Sequence, residues 1–377
     1  MEIEHLKDFR DPKKCKRLVI KIGSALLVDK AGKIRTEWLA SVAQEIADAL
    51  KEGQEIVVVS SGAVALGAAR LGLSGGGRET IADAQAAAAV GQIQLSAQWS
   101  SLLANHGVTA AQLLLTLDDL EGRRRYLNAS STVTRLLRAG AVPIINENDS
   151  IAVSEIRFGD NDRLAARVAQ ACNAQGVLLL SDIDGLYTRH PDEPGAEHLP
   201  RVRGVTEEMH DMASGSSGSG MGSGGMTSKL LAAQIAERAG IALAIIDGSE
   251  AMPIRLSVAA NSGTVFLPKR DDSAYKAWIG GRLRFNGALV VDDGCIAALR
   301  DGRSLLAVGI VDVKGDFERG DVIRVEDQSG RMLAKGMIEY DSAESMTIMG
   351  LANSEHAALL GHAPRSAVIH RDQLVLL

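Results

Sequence analysis

The run Leu18-Val-Ile-Lys-Ile22, followed by Gly23 and Ser24, decides the fold of this 377-residue chain. Its nearly continuous apolar character is typical of a strand buried on both faces of a sheet. Similar runs occupy residues 56–59, 142–145, 177–180 and 241–246. Helix-like segments separate these runs, and in residues 36–51 apolar side chains recur at helical spacing before Gly53, a helix stop signal. The alternation predicts an α/β fold, a three-layer αβα sandwich with a mainly parallel sheet between helices.

The pattern changes near residue 283. Four short strand-like runs follow, separated by Gly, Asp and Ser, at residues 305–311, 321–325, 332–338 and 345–349. Such spacing predicts a small all-β barrel or sandwich. We therefore expect a catalytic domain over residues 1–270, a linker over 271–281 and a β domain over 282–377. Its histidines His356, His362 and His370 are expected at the surface.

Composition and charge exclude several classes of protein. Apolar residues make up 46% and charged residues 23%, which fits a folded protein rather than a disordered one. The formal net charge of -6 argues against broad binding to nucleic acid or anionic membranes, and no apolar run approaches a membrane span. The first residues do not resemble a secretory signal, and three separated cysteines form neither a disulfide nor a zinc pattern. We therefore expect a cytoplasmic protein.

Polar residues follow the predicted strands at the positions where parallel-sheet proteins bind ligands. Lys21 lies inside an apolar run, and a buried ammonium group needs a carboxylate or an anionic ligand unless the strand is a solvated edge. The second strand leads into Ser60-Ser61-Gly62 and an alanine-rich helix. Backbone N–H groups and hydroxyls at such a turn can bind an anion, although a simple helix N-cap has the same pattern.

Two polar clusters follow the strand at residues 142–145. The first is Asn146-Glu147-Asn148-Asp149 and the second is Gly159-Asp160-Asn161-Asp162-Arg163. Together they offer donors and acceptors for one small polar ligand, or they form an extended surface loop. Neither has the ligand spacing of an EF-hand calcium loop, and we predict no metal-binding residues. A further strand ends in Ser181-Asp182, which a simple turn also explains.

A glycine-rich stretch at residues 214–225 precedes a helix-like run that contains Lys229. A flexible linker has the same composition. The spacing of Gly220, Gly222 and Gly225 matches the dinucleotide fingerprint, but residues 203–213 are too polar for the buried strand that it requires. Glycines let the backbone approach phosphates, and a lysine in a first helical turn is unfavourable unless an anion binds. Together with Lys21 and the polar pocket, this predicts ATP-dependent phosphoryl transfer.

The order and spacing of these motifs resemble the glutamate 5-kinase family over nearly the whole chain. The resemblance is carried by Lys21-Ile-Gly-Ser, Val59-Ser-Ser-Gly62, Pro143-Ile-Ile-Asn-Glu-Asn-Asp149, Phe158-Gly-Asp-Asn-Asp162, Leu180-Ser-Asp-Ile-Asp-Gly-Leu-Tyr-Thr188 and Gly222-Ser-Gly-Gly-Met-Thr-Ser-Lys229. That family has the amino-acid-kinase fold, and residues 304–321 resemble the PUA domain that many bacterial members carry. Ala25 and Ser228 depart from the family pattern, in which a hydroxyl residue and a threonine are usual.

The resemblance implies phosphorylation of the side-chain carboxylate of L-glutamate by ATP with Mg²⁺, the first step of proline biosynthesis. It also implies feedback inhibition by proline and a homo-oligomer, a tetramer or a dimer. It assigns catalysis to Lys21, Lys229 and Asp162, with the Asp162 carboxylate between the two ammonium groups. The implied glutamate site consists of Ser61, Gly62, Asn146, Asp149, Asp160 and Asn161. The implied ATP site consists of Lys21, Gly23, Ser181, Asp182, Ser223, Gly224, Gly225, Met226, Thr227, Ser228 and Lys229.

Three other interpretations compete with this one. A related enzyme of the same fold would phosphorylate aspartate, acetylglutamate or a nucleoside monophosphate, which the Asn-Glu-Asn-Asp cluster disfavours. A dinucleotide-dependent oxidoreductase would need the missing buried strand. RNA binding by the C-terminal part is disfavoured because residues 281–377 carry 14 acidic and 11 basic side chains and few aromatic residues.

Overall fold

The computed structural model describes residues 3–29, 32–121, 123–151, 161–189, 191–214, 225–268, 285–361, 364–365 and 367–377. The chain divides into two compact units, Met1–Asp271 and Asp272–Leu377. The predicted linker at residues 271–281 lies outside the described residues, and so do the predicted site residues Asp160, Ser223 and Gly224. Within the described ranges, no helix combines the length and the apolar character needed to cross a bilayer.

The first unit contains an eight-stranded sheet, a two-stranded ribbon and the helices that connect them. Its strands are β1 (Arg17–Ile22), β2 (Glu55–Ser60), β3 (Ala110–Leu115), β4 (Val142–Glu147), β5 (Gly176–Ser181), β6 (Leu186–Tyr187), β7 (His198–Leu199), β8 (Arg201–Arg203), β9 (Ala242–Asp247) and β10 (Thr264–Leu267). Its helices are α1 (Ser24–Leu27), α2 (Thr36–Lys51), α3 (Ala63–Leu71), α4 (Ile81–Ala104), α5 (Leu117–Glu121), α6 (Arg123–Arg138), α7 (Asn161–Ala171), α8 (Glu207–Ser214), α9 (Met226–Arg238) and α10 (Pro253–Ala260).

The large sheet has the strand order β3-β4-β2-β1-β5-β9-β10-β8. All its pairs are parallel except β9–β10, which is antiparallel, so the prediction of a mainly parallel α/β sheet is confirmed. Strand β1 lies in the middle of the sheet, and Lys21 is opposite Val59 on one side and Leu179 on the other. The alternative of a solvated edge strand for Lys21 is therefore wrong.

In the first unit, the helix and the strands predicted from apolar patterns lie where the sequence placed them. The predicted helix at residues 36–51 coincides with α2, Thr36–Lys51, whose apolar side chains pack into the core while Gly53 follows at a φ of 93°. The five predicted buried strands correspond to β1, β2, β4, β5 and β9 within two residues at each end. The segment before the glycine-rich stretch contains α8, not a buried strand, which removes the structural context of the dinucleotide fingerprint.

Helices α3 and α4 touch through their backbones. A Cβ on Gly67 would lie 1.7 Å from the carbonyl oxygen of Ala87, and a Cβ on Gly91 would lie 1.9 Å from that of Ala63. Contacts this short exclude any side chain at both positions. The two glycines therefore set how closely α4 approaches the rest of the unit.

The second unit contains a separate five-stranded sheet. Its strands are β11 (Gly287–Val291), β12 (Ile310–Gly315), β13 (Val322–Glu326), β14 (Met332–Met337) and β15 (Leu374–Leu376), in the order β12-β11-β13-β14-β15. The prediction that the C-terminal part of the chain is rich in β-strands is thus confirmed. The unit is not purely β, however, because it also contains α11 (Asp293–Arg300), α12 (Ser342–Ile348) and α13 (His356–Leu360).

Three local predictions for this unit are wrong. The strand expected at residues 345–349 is part of α12, which begins at a capping box formed by Asp341 and Glu344. The strand expected at residues 305–311 is instead an isolated bridge at Leu305, a short 3₁₀ turn and the start of β12. His356 is buried rather than exposed, and its ring packs edge-on against Tyr340.

Candidate active site

The polar residues predicted at strand ends converge because the strands that carry them are parallel neighbours. Residue Ser60 at the end of β2 is opposite Ile22 at the end of β1, and Ser181 at the end of β5 is opposite Asp247 at the end of β9. Asn146 is the second-last residue of β4, which pairs with β2. One edge of the sheet therefore collects these side chains, as expected for a ligand site in an open α/β sheet.

Three charged side chains form the centre of this edge. Nζ of Lys21 lies 2.6 Å from Oδ1 of Asp162, and Nζ of Lys229 lies 3.4 Å from Oδ2 of the same carboxylate. Asp162 is 1% exposed and both lysine side chains are under 10% exposed. Burial alone would raise the pKa of Asp162, but the charges and hydrogen bonds of Lys21 and Lys229 outweigh it and hold the pKa below its ordinary value.

Each member of this cluster comes from a different element. Lys21 belongs to the central strand β1, Asp162 to the first turn of α7, and Lys229 to the first turn of α9. A carboxylate is favoured at a helix N-terminus, whereas a lysine there is not. The unfavourable position of Lys229 is offset by Asp162. The structure thus brings together the three residues that the sequence singled out for catalysis.

Two glycines shape the backbone beside the cluster. A Cβ on Gly23 would lie 3.6 Å from Nζ of Lys21, so the backbone runs directly past the ammonium group. Gly62 has a φ of 104°, which side chains of L-residues rarely adopt, and it begins α3. The preceding Ser61 donates its backbone N–H to the carbonyl of Ile22 at 3.1 Å, which fixes the turn against β1.

A chain of hydrogen-bonded side chains lies next to the lysines. Nδ2 of Asn161 donates to Oγ of Ser61 at 2.8 Å and lies 3.4 Å from Oδ1 of Asn146. Nδ2 of Asn146 donates to Oε1 of Gln92 at 2.7 Å. Oδ1 of Asn161 is buried and has no hydrogen-bond partner among the described residues. Three residues predicted for substrate binding, Ser61, Asn146 and Asn161, are therefore in contact with one another.

Asp149, a fourth predicted substrate residue, is buried beyond the end of β4. Burial raises the pKa of this carboxyl group to about 6, and the charge of Arg78 lowers it only partly. A buried carboxylate for which no ion pair is found among the described residues is suited to bind a cationic group of a ligand.

The residues predicted to bind the nucleotide lie on two other elements. Ser181 ends β5, and its Oγ donates to Oδ1 of Asp182 at 3.1 Å. Gly225 precedes α9, whose first turn contains Met226, Thr227, Ser228 and Lys229. Ser228 and Lys229 are buried, while Thr227 and Gly225 are exposed. Lys229 joins the second group to the lysine cluster through its contact with Asp162.

Two residues of the site were not predicted from the sequence. Gln92 contacts Asn146, and Nε1 of Trp99 donates to Oγ of Ser60 at 3.2 Å. Both lie on α4 two helical turns apart, so they face the same side of that helix. The only sequence feature that could have indicated either residue is that Gln92 follows Gly91 in an alanine-rich helix. Among the described residues, no group of three or more His, Cys, Asp or Glu side chains is placed to hold a metal ion.

Comparisons with known proteins agree with this geometry. The sequence model of the amino acid kinase family matches residues 16–247, and that of the PUA domain matches residues 287–358. The chain is 60% identical over 377 residues to the glutamate 5-kinase of Novosphingobium aromaticivorans, with 100% of both chains covered. It is 55% identical to the glutamate 5-kinase of Sphingopyxis alaskensis, with 97% of this chain and 99% of the relative covered.

A third relative, the glutamate 5-kinase of Zymomonas mobilis, is 52% identical, with 97% of this chain and 92% of the relative covered. These matches extend through both structural units. The residues that the family model matches include all three members of the lysine cluster, and the relatives match the chain over nearly its full length. The chain therefore belongs to the glutamate 5-kinase family of amino acid kinases.

Proposed function

We propose that this chain transfers the terminal phosphoryl group of ATP to the side-chain carboxylate of L-glutamate. The products are L-glutamyl 5-phosphate and ADP, and the reaction is the first step of proline biosynthesis. Membership of the glutamate 5-kinase family supports the choice of substrate and of ATP. The observation that carries the mechanism is the contact of Lys21 and Lys229 with the single carboxylate of Asp162.

The chemistry requires charge neutralisation more than proton transfer. The side-chain carboxyl group of glutamate has an unperturbed pKa of about 4.3, so the attacking oxygen is already ionised at neutral pH. No general base is needed. The obstacle is the repulsion between this carboxylate and the phosphates of ATP. Two ammonium groups at the terminal phosphate would lower that repulsion most in the transition state, where negative charge spreads over the transferred group.

Asp162 has a separate task in this scheme. Two ammonium groups held side by side repel each other, and the buried carboxylate between them offsets that repulsion when no nucleotide is bound. Because Asp162 lies in the first turn of α7 and the lysines lie on β1 and α9, the carboxylate also fixes the spacing of β1 and α9 around the phosphates. We assign it the role of organiser rather than of proton carrier.

The nucleotide would lie between the ends of β1 and β5 and the start of α9. Gly23 leaves room for a phosphate beside Lys21, because a side chain there would approach the ammonium group. The N-terminus of α9 adds a partial positive charge on the same side as Lys229. Ser181, Asp182 and residues 223–229 complete the proposed ATP site.

Glutamate would bind at Ser61, Asn146, Asp149 and Asn161, and Gly62 and Asp160 stay part of the proposed glutamate site. The buried carboxylate of Asp149 and Oδ1 of Asn161, which has no partner in the described part of the chain, are both acceptors. The α-ammonium group of glutamate offers donors and a positive charge to match them. Placing that group there would direct the side-chain carboxylate toward the lysines.

Mg²⁺ would enter with ATP. Kinase sites commonly bind Mg²⁺ through one or two carboxylates and the phosphates of the substrate. Both oxygens of Asp162 face lysines, so this chain's residues fit an ion held chiefly by the phosphates. Mg²⁺ bound in this way would supply further neutralisation of phosphate charge.

The remaining features of the family extend the proposal. We propose feedback inhibition by proline, a homo-oligomer that is a tetramer or a dimer, and a cytoplasmic location. We also propose a kinase domain over residues 1–270, a linker over 271–281 and a PUA-like domain over 282–377. RNA binding by the last of these remains the less favoured function.

Hydroxylamine provides the test of the proposed reaction. It reacts with an acyl phosphate to give a hydroxamate, which forms a coloured complex with Fe³⁺. The purified chain with MgATP and glutamate should form the hydroxamate, whereas aspartate, acetylglutamate or a nucleoside monophosphate in place of glutamate should not support ATP turnover at a comparable rate. Absence of hydroxamate with glutamate would contradict the proposal.

A further inference from the structure

The chain of side-chain hydrogen bonds beside the lysines begins at a backbone donor. The N–H of Glu147 donates to Oδ1 of Asn146 at 2.9 Å. Because a backbone N–H can only donate, this contact fixes which end of the Asn146 amide is the oxygen. The nitrogen Nδ2 then points to Gln92, where Oε1 accepts its hydrogen bond at 2.7 Å.

The orientation of Asn146 determines that of Asn161. The hydroxyl of Ser61 can either donate or accept, so it cannot by itself decide which end of the Asn161 amide faces it. Oδ1 of Asn146 can only accept, and Nδ2 of Asn161 lies 3.4 Å from it. Oδ1 of Asn161 must therefore lie on the other side, where it is buried without a partner among the described residues.

A buried acceptor without a partner costs free energy unless a ligand supplies the donor. The α-ammonium group assigned to this site under the proposed function would supply one. Asp149, a buried carboxylate assigned to the same site, would balance its charge. The direction in which Oδ1 of Asn161 points is therefore part of how the site recognises its substrate.

Gln92 is held in position by its own surroundings. It is buried, and its Nε2 donates to Oγ of Ser96 one turn further along α4. The adjacent Gly91 packs against the backbone of α3, which leaves α4 no room to shift towards α3. Without the Gln92 acceptor, Nδ2 of Asn146 would be a buried donor with no partner among the described residues, and the amide would be held only at its oxygen, by the N–H of Glu147 and Nδ2 of Asn161.

We infer that Gln92 is a positioning residue for glutamate recognition, because it locks the amide of Asn146 and thereby aims Oδ1 of Asn161 at the ammonium group of the substrate. This inference rests on the proposed function. In this inference Gln92 acts through its hydrogen bond with Asn146 rather than by contact with the substrate. Its loss should therefore weaken recognition of the ammonium group and leave the nucleotide site unaffected.

The test compares glutamate with glutarate, which lacks the ammonium group. Gln92→Met keeps the side-chain length but removes the acceptor, and Gln92→Asn stays polar but is too short to reach Asn146. In the hydroxamate assay on the full chain, both variants should raise the KM for glutamate about tenfold, the effect of one lost hydrogen bond. The KM for ATP and the inhibition constant of glutarate should not change. Gln92→Glu keeps an acceptor oxygen, so its KM for glutamate should stay within about threefold of that of the unaltered chain.

Gln94→Met is the matched control, since Gln94 is exposed on the same helix. It should behave as the unaltered chain. The inference is overturned if folded Gln92→Met or Gln92→Asn retains the original KM for glutamate, or if the glutarate constant rises as much as that KM. Lack of hydroxamate formation by the unaltered chain would instead refute the proposed function, so the two failures are distinguishable.

Discussion

Nζ of Lys21 lies 2.6 Å from Oδ1 of Asp162, so a buried ion pair joins the central strand β1 to the first turn of α7. Lys229 approaches the other carboxylate oxygen from α9. Within this cluster two cations share one anion, so its three side chains together carry an excess of positive charge. A phosphate placed there would neutralise that excess, which makes the cluster both a structural bridge and a site for the terminal phosphate of ATP.

Replacing Lys229 tests its role in catalysis. Lys229→Ala should lower kcat by about a thousandfold, because a group that stabilises developing charge on the transferred phosphoryl is lost. The KM for glutamate should change far less, since glutamate binds through other residues. Steady-state kinetics in the hydroxamate assay measure both. Lys51→Ala is the control, because that lysine side chain is 69% exposed on α2. Equal losses in kcat and in glutamate affinity would count against the assignment.

Removing the shared carboxylate tests the structural role of the cluster. Asp162→Asn leaves two buried lysines without their common counter-charge, and we expect the free energy of unfolding to fall by about 3–5 kcal/mol. Urea unfolding at pH 7 measures the change. Asp48→Asn, which removes a partly exposed carboxylate that pairs with Lys51 and Arg255, should cost about 1 kcal/mol or less. An equally small effect at Asp162 would show that the cluster does not stabilise the fold.

Asp149 predicts a pH dependence of glutamate binding. Burial raises the pKa of this carboxyl group to about 6, so below that pH it is neutral in the ligand-free protein. Its attraction for an ammonium group is then lost. We expect kcat/KM for glutamate to fall about tenfold per pH unit below this pKa and to level off above it. Asp149→Asn should have a low kcat/KM without this inflection, and an unchanged inflection in the variant would exclude Asp149 as its source.

Asp149 also makes the stability of the ligand-free protein depend on pH, in the opposite direction to glutamate binding: stability falls as the pH rises. A pKa raised by folding gives a contribution to stability that is fully present below the ordinary value of 3.8 and is lost as the pH rises through about 6. Urea unfolding between these limits should show this loss in the unaltered chain and not in Asp149→Asn. Saturating glutamate should reverse the loss, because its ammonium group favours the ionised carboxylate.

The contact between α3 and α4 provides a test of the fold around the site. A methyl group at Gly91 would lie 1.9 Å from the carbonyl oxygen of Ala63, so Gly91→Ala must push the two helices apart. We expect a loss of about 3 kcal/mol or more in the free energy of unfolding, together with a higher KM for glutamate because Gln92 moves. Gly294→Ala in α11, where the nearest atom is Asp292 Oδ1 at 3.4 Å, should change stability by less than about 1 kcal/mol. Similar stability for both variants would contradict the predicted clash.

The sequence predicts most of the sheet and the centre of the site for one physical reason. Strands buried on both faces, such as β1 and β5, are continuous apolar runs, and their parallel order places the next polar residues at one edge. A charged residue inside such a run, Lys21, needs a partner, and the structure provides Asp162. At these positions the local sequence pattern and the chemistry of the side chains are enough to predict the structure.

Elsewhere the sequence pattern does not determine the structure. Residues 345–349 alternate like a strand, but the capping box of Asp341 and Glu344 starts a helix that includes residues 345–348. Gln92 could not be assigned to the site, because its contact with Asn146 depends on how closely α3 and α4 pack. His356 lies in a polar segment, yet its ring is covered by Tyr340 and other side chains of the second unit. Contacts between elements decide these cases.

The most direct test of the account is a crystal structure with glutamate, Mg²⁺ and a non-hydrolysable ATP analogue. We expect the Nζ atoms of both Lys21 and Lys229 within hydrogen-bonding distance of the terminal phosphate, with the side-chain carboxylate of glutamate on the opposite side of that phosphate. A structure in which either lysine points away from the nucleotide, with no other cation in its place, would contradict the mechanism proposed for this chain.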